Sequence, residues 1–293
     1  MADVDLEVQA NNLRVDLLTL DASRCLARAD IPHVLIKGPT TSLWLYSPPR
    51  AYADVDLLVP ASRLPDAIDA LRAGGIADGH AVGAPHEWGH SVELRSASGF
   101  EVDLHRSLPS LPVDGDSLWA ELRPHFVDFD LGSGQVPALD EVGRCLTVAF
   151  HALSGGGDLS RRWDDLTLAY ARADASAWDQ ARAIAVRLGA ADLFDAALTR
   201  VGVDPPQPLS RRARLALGDA EAQVIALDRM ATTPWRGVPI FLLREVWPTA
   251  DFIRAAYPDL SARRAGVVRA RVRRWLRILS ALPGALRAYR SAR

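Results

Sequence analysis

Apolar side chains recur at helical intervals over residues 4–30, where Leu6, Val8, Leu13, Val15, Leu17, Leu18, Leu20 and Leu26 follow one another, and Pro32 ends the run. A short β-prone block, His33-Val34-Leu35-Ile36, comes next and is closed by Lys37-Gly38-Pro39. Thr40 to Tyr46 reads as a helix stopped by Pro48-Pro49. Tyr52 to Pro60 reads as a buried strand, and residues 62–73 as an amphipathic helix ended by Gly74-Gly75. From about residue 80 to 106 the period drops to two. Val92 and Leu94 alternate with Ser91 and Glu93, and Phe100, Val102 and Leu104 with Glu101, Asp103 and His105, across the turn-prone Ser96-Ala97-Ser98-Gly99. That pattern predicts a hairpin. A second hairpin is expected from Phe126 to Val136, turning at Gly132-Ser133-Gly134.

Beyond Pro137 the pattern is helical, in blocks near 140–153, 159–173, 176–188, 190–201, 209–230, 238–257 and 262–290, with no internal repeat. The expected fold class is therefore α+β: a small mixed β-sheet core with flanking helices, residues 1–137, followed by an all-helical domain, residues 138–293. A chain of 293 residues has room for two such units.

Composition narrows the class. With 49% hydrophobic and 24% charged residues and a net charge of −2, the chain is neither disordered nor collagen-like. Its two cysteines, Cys25 and Cys145, fall in apolar helical surroundings and read as small core residues. The first residues lack the basic and apolar regions of a secretory signal, and no apolar run approaches the roughly 18 residues that cross a bilayer. The expectation is a cytoplasmic protein without membrane insertion. Lys37 is the single lysine, and residues 261–293 hold ten arginines and no acid. Such a tail could attract nucleic acid, although Arg269, Arg273 and Arg277 at i, i+4 spacing equally form a solvated helix face.

The candidate chemistry starts from Asp54 and Asp56. Two apart in an apolar strand, they leave the same face about 6.6 Å apart at Cα. Like charges so placed are costly to ionise unless a cation neutralises them. Asp103, in the middle of a second strand and on the face of Glu101 and His105, offers a third carboxylate. Three acids suit an oxygen-preferring ion such as Mg²⁺, which completes its shell with waters and substrate phosphates. Gly38, at the end of the first strand, permits close approach of a phosphate, and Thr40 and Thr41 add hydroxyl donors. Lys37 and Arg50 flank this segment and could balance the charge of a triphosphate.

The stretch Leu35-Ile36-Lys37-Gly38-Pro39, then Arg50, Asp54-Val55-Asp56-Leu57-Leu58-Val59 and Val102-Asp103-Leu104-His105, resembles the polymerase-β-type nucleotidyltransferase superfamily. It resembles more closely a bacterial family of uncharacterised nucleotidyltransferases. Arg244-Glu245-Val246-Trp247-Pro248, Phe252-Ile253-Arg254 and Ala256-Tyr257-Pro258 resemble that family's helical C-terminal part. The resemblance implies that Asp54, Asp56 and Asp103 are catalytic and hold Mg²⁺ or Mn²⁺, with Asp103 also orienting or deprotonating the acceptor. It implies nucleotide binding by Lys37, Gly38, Thr40, Thr41, Arg50 and His105. The substrate would be an NTP, ATP foremost, and the acceptor a small molecule, a peptide or RNA. One departure stands out: the superfamily usually has Gly-Gly or Gly-Ser where this chain has Gly38-Pro39, and proline has no N–H to donate.

Other signals carry less. His86 and His90, near Glu87, lack the order and the helix of a zinc motif and are candidates for the acceptor cleft. Asp128 and Asp130 repeat the Asp-x-Asp spacing but precede a glycine turn and read as an exposed hairpin strand. Ser154-Gly155-Gly156-Gly157 falls between helices and reads as a connector, and Asp164, Asp165 and Arg162 as structural ion-pair partners. Two other functions fit the same residues: phosphoryl transfer from the bound nucleotide, and a non-catalytic nucleotide- or partner-binding protein of the same fold.

Overall fold

The structure, a computed structural model, describes residues 6–77, 89–96, 98–111, 113–154, 159–217, 247, 248, 250, 253 and 264–291. Helix α1 (Leu6–Arg28) leads into β1 (Val34–Leu35), α2 (Pro39–Leu45), β2 (Asp54–Leu58) and α3 (Leu64–Ala73). Then come β3 (Ser91–Arg95), β4 (Glu101–His105), α4 (Gly115–Leu122), β5 (Phe126–Asp130) and β6 (Gln135–Leu139). Helices α5 (Glu141–Ala152), α6 (Leu159–Arg172), α7 (Ala175–Arg187), α8 (Ala191–Thr199), α9 (Arg211–Leu217) and α10 (Arg264–Ser291) complete the described elements.

The six strands form one mixed sheet in the order β3-β4-β2-β1-β6-β5. Pairs β2–β4 and β1–β6 are parallel, and β1–β2, β3–β4 and β5–β6 antiparallel. Both expected hairpins are present, and the α+β class is as the hydrophobic pattern predicts. The long crossovers belong to the parallel pairs, as parallel strands require.

Local chemistry explains most element ends. Gly74 closes α3, and Gly75 follows at φ +68°, a setting glycine adopts without steric cost. Asp140 caps α5 by accepting a hydrogen bond from the Gly143 amide at 2.9 Å. Helix α4 has no counterpart in the sequence reading. Asp114 caps it, accepting from the Ser117 amide at 2.9 Å, but eight residues among proline and glycine carry too little periodicity to stand out.

The chain forms two compact units, residues 1–81 with 90–154 and 158–204, and residues 82–89 with 155–157 and 205–293. The first contains the whole sheet and α1 to α8, so the passage from strands to helices after Leu139 lies inside it. Helix α1 packs on α3, β2 and β6, while α5 packs on β6 and on α6, α7 and α8. Val55, Leu57, Val102 and Leu104 are fully buried, each contributing about 1.5–3 kcal/mol. Their alternation anchors β2 and β4 and directs the residues between them to the opposite face. In the second unit, Val267 and Ala270 of α10 pack with Ile253 and Ala250. Arg271 stacks on Trp247 at 4.7 Å and donates to the Pro248 carbonyl at 2.7 Å.

Candidate active site

Strands β2 and β4 run parallel with Asp54 opposite Glu101, Asp56 opposite Asp103 and Leu58 opposite His105. Residues paired in this way share a face, so Asp56 and Asp103 stand side by side, and His105 follows on the same face two residues on. The His105 imidazole lies between the two acids, its Nε2 2.8 Å from Asp56 Oδ1 and 3.1 Å from Asp103 Oδ2. From the end of β1, Lys37 donates through Nζ to Asp56 Oδ1 at 3.0 Å. Asp56 and His105 are buried, whereas Asp54, at the start of β2, is exposed.

Charge governs this cluster. Desolvation opposes ionisation of Asp56, yet Lys37 and the hydrogen bond from His105 outweigh it and hold the carboxyl well below the usual carboxylate range. Asp103 is likewise lowered, burial being overcome by the charge and hydrogen bond of His105. Burial should discharge His105, but Asp103 and Asp56 reverse it and raise the imidazole to about 9. Lys37 is raised in the same way, with Asp56 overriding its burial. Asp54 moves the other way: the charge on Asp56, then desolvation, lifts it to about 6. Three carboxylates thus face two cations.

Two buried atoms of the cluster, Asp103 Oδ1 and His105 Nδ1, have no hydrogen-bond partner. A buried carboxylate oxygen without a donor is costly, and its lone pairs suit a cation. Asp56, Asp103 and His105 each offer a ligand atom, all within 4.8 Å of one another, a set that could hold a metal ion. The donor set therefore fits a divalent metal.

Gly38 sits at φ +66° and ψ −119°, a backbone setting that residues with side chains rarely adopt. This bend turns the chain from β1 into α2, with Pro39 at the first helical position, where its missing N–H costs nothing. Thr40 and Thr41 are buried, and the Thr40 hydroxyl donates to the Lys37 carbonyl at 3.1 Å. The Thr40 hydroxyl therefore sits inside the turn that follows Lys37. Arg50 is turned toward α6: it donates to Asp165 Oδ2 at 2.7 Å and stacks on Tyr46 at 5.1 Å, while the Tyr46 hydroxyl donates to the other oxygen of Asp165.

His90 lies beside the cluster, its ring 5.6 Å from that of His105 and tilted by 39°. Desolvation, then the charge on His105, lowers its pKa to about 4. His86 lies outside the described residues. Sequence reasoning missed His151 on α5, whose buried Nδ1 has no partner. Burial first, then the positive charge of Lys37, keeps its ring neutral, which places it in the electrostatic neighbourhood of the cluster. A lone histidine within an apolar helix gives no signal of this.

Comparison with known families matches residues 4–202 to a family of uncharacterised nucleotidyltransferases. That is more than half of the 293 residues, and the chain belongs to this family. The match takes in the sheet, the cluster and α1 to α8; the segments between 244 and 258 lie beyond it. No curated protein matches the chain.

Proposed function

We propose that this member of the nucleotidyltransferase family is a metal-dependent enzyme that transfers NMP from an NTP, ATP foremost, to an acceptor hydroxyl or phosphate. The bond between the α-phosphorus and its bridging oxygen breaks, a bond from the acceptor oxygen forms, and pyrophosphate leaves. The observation that carries this reading is the parallel register that sets Asp56 against Asp103, with His105 between them.

Asp54, Asp56 and Asp103 would hold Mg²⁺ or Mn²⁺, and His105 would stay beside them as a positive hydrogen-bond donor. When bound, the ion supplies charge neutralisation and orients phosphate oxygens. Asp103, whose Oδ1 is buried and unpartnered, would orient the acceptor hydroxyl and take its proton. Lys37, now committed to Asp56, would turn its charge to the phosphates. The bend at Gly38 leaves the backbone open to phosphate, and Arg50 would extend this positive side by exchanging Asp165 for substrate. Catalysis then rests on positioning and on preorganised charge. The helices after residue 138 would select the acceptor, with His90 in its cleft. Two free thiols, Cys25 and Cys145, suit a reducing cytoplasm.

The test is incubation with each NTP, Mg²⁺ or Mn²⁺ and candidate small molecules, peptides and RNAs, read by mass spectrometry and pyrophosphate release. The expected product carries one NMP, and Asp56→Asn and Asp103→Asn do not form it. A product heavier by phosphate alone would replace this reading with phosphoryl transfer. Full turnover by both variants would remove the cluster from the chemistry.

A further inference from the structure

Helix α10 extends for 28 residues and carries eight arginines and no acid. At about 100° per residue, its side chains sort into three sectors. Val267, Ala270 and Ala285 are buried and form the inward face. Roughly a third of a turn away, Val268, Val272, Trp275, Leu276 and Leu279 make an apolar stripe, exposed from 37% at Trp275 to 63% at Leu276, and Leu286, beyond Pro283, adds to it at 36%. Arg269, Arg273, Arg277 and Arg287 border that stripe on its far side. An apolar stripe of this length in water is unusual and marks a binding surface.

We propose that α10 lies on an anionic phospholipid surface, its apolar stripe in the headgroup boundary and its arginines against lipid phosphates. Charge decides the occupant. A second copy of the chain would bring a further arginine ridge against this one. Nucleic acid would engage the arginines and leave the stripe in water. A partner helix is held in register by charges of both signs beside its apolar seam, whereas α10 itself contributes only arginines. A smeared negative surface needs no register, and a basic amphipathic helix with Trp and Leu on its apolar face suits it. No described helix is long and apolar enough to cross a membrane, so the helix lies on the surface. The inference goes beyond the family match, which ends at residue 202, and is independent of the transfer reaction.

The experiment is co-sedimentation of the full chain with unilamellar vesicles, phosphatidylcholine alone against phosphatidylcholine with roughly one third phosphatidylglycerol. Binding to the anionic vesicles is expected to be at least about tenfold tighter and to weaken with salt. Val272→Glu/Leu276→Glu/Leu279→Glu, three exposed positions, should abolish binding while leaving the helical circular dichroism unchanged. Arg269→Gln/Arg273→Gln/Arg277→Gln should remove the preference for anionic lipid. Equal binding to both vesicles overturns the proposal, as does full binding by the triple-glutamate variant. So does RNA or acidic-protein binding without vesicle binding, or a dimer that the same variant dissociates.

Discussion

Strands β2 and β5 belong to one sheet and carry the same Asp-x-Asp spacing, yet their acids meet opposite fates. Among the described strands β5 is an edge strand, paired only with β6, and Asp128 and Asp130 are both exposed. Asp130 spends its carboxylate locally, accepting from the Gly132 amide at 2.7 Å in the hairpin turn. β2 lies between β1 and β4, so each neighbour delivers side chains to it: Lys37 follows one, and Asp103 and His105 belong to the other. Spacing along a strand brings two carboxylates to one face. The strands on either side decide whether water or fixed charge surrounds them.

Neutralising each pair separates the two strands most strongly. Asp56→Asn and Asp103→Asn should each lower transfer by about 10³-fold or more, the scale of losing a preorganised electrostatic group. Asp128→Asn/Asp130→Asn should leave steady-state turnover within about twofold. Equal losses from the two strands would erase the distinction.

Stability gives the next largest effect. Lys37→Met removes the lysine counter-charge of the buried Asp56 and leaves it hydrogen-bonded to His105, and should cost about 3 kcal/mol in urea unfolding. In an Asp56→Asn background that loss should shrink, because no charge is left to balance. An undiminished loss would mean that Lys37 acts through packing.

The pH response sharpens the contrast further. His105 has its folded pKa raised from 6.5 to about 9, so the stability it contributes is complete below 6.5 and disappears as pH rises through about 9. Metal-free protein should lose about 5 °C in melting temperature across that window, measured by calorimetry, and His105→Gln should flatten the slope. The smallest effect belongs to the edge strand: Asp128→Asn/Asp130→Asn should change unfolding free energy by no more than about 0.5 kcal/mol at any pH between 6 and 9.

Much of the fold was legible because period-two and helical patterns are local. The hairpins β3–β4 and β5–β6, and helices α1, α3 and α5 to α8, lie close to where the apolar spacing puts them. The carboxylates were legible for the same reason, since three acids in apolar strands advertise an unusual setting. Partners were harder to read. Lys37 and Arg50 look alike as basic residues near a glycine bend, but one meets Asp56 and the other Asp165, 115 positions away. Thr40 reads as a hydroxyl donor from its place after Gly38, and that its hydroxyl bonds the Lys37 carbonyl was not legible. His151 could not be found at all, because only the packing of α5 brings it into the field of Lys37.

The sequence by itself determined which residues alternate, most of the strands and helices though not α4, and that Asp54, Asp56 and Asp103 lie in apolar strands, since each follows from the geometry of a few consecutive residues. Only the tertiary structure decided that β4 pairs with β2 in parallel, with Asp103 against Asp56, because that register depends on packing between segments far apart in the chain. It decided the counter-charges as well. A carboxylate's environment is set by whatever lies within a few ångströms of it, and in a mixed sheet those neighbours arrive from across the chain.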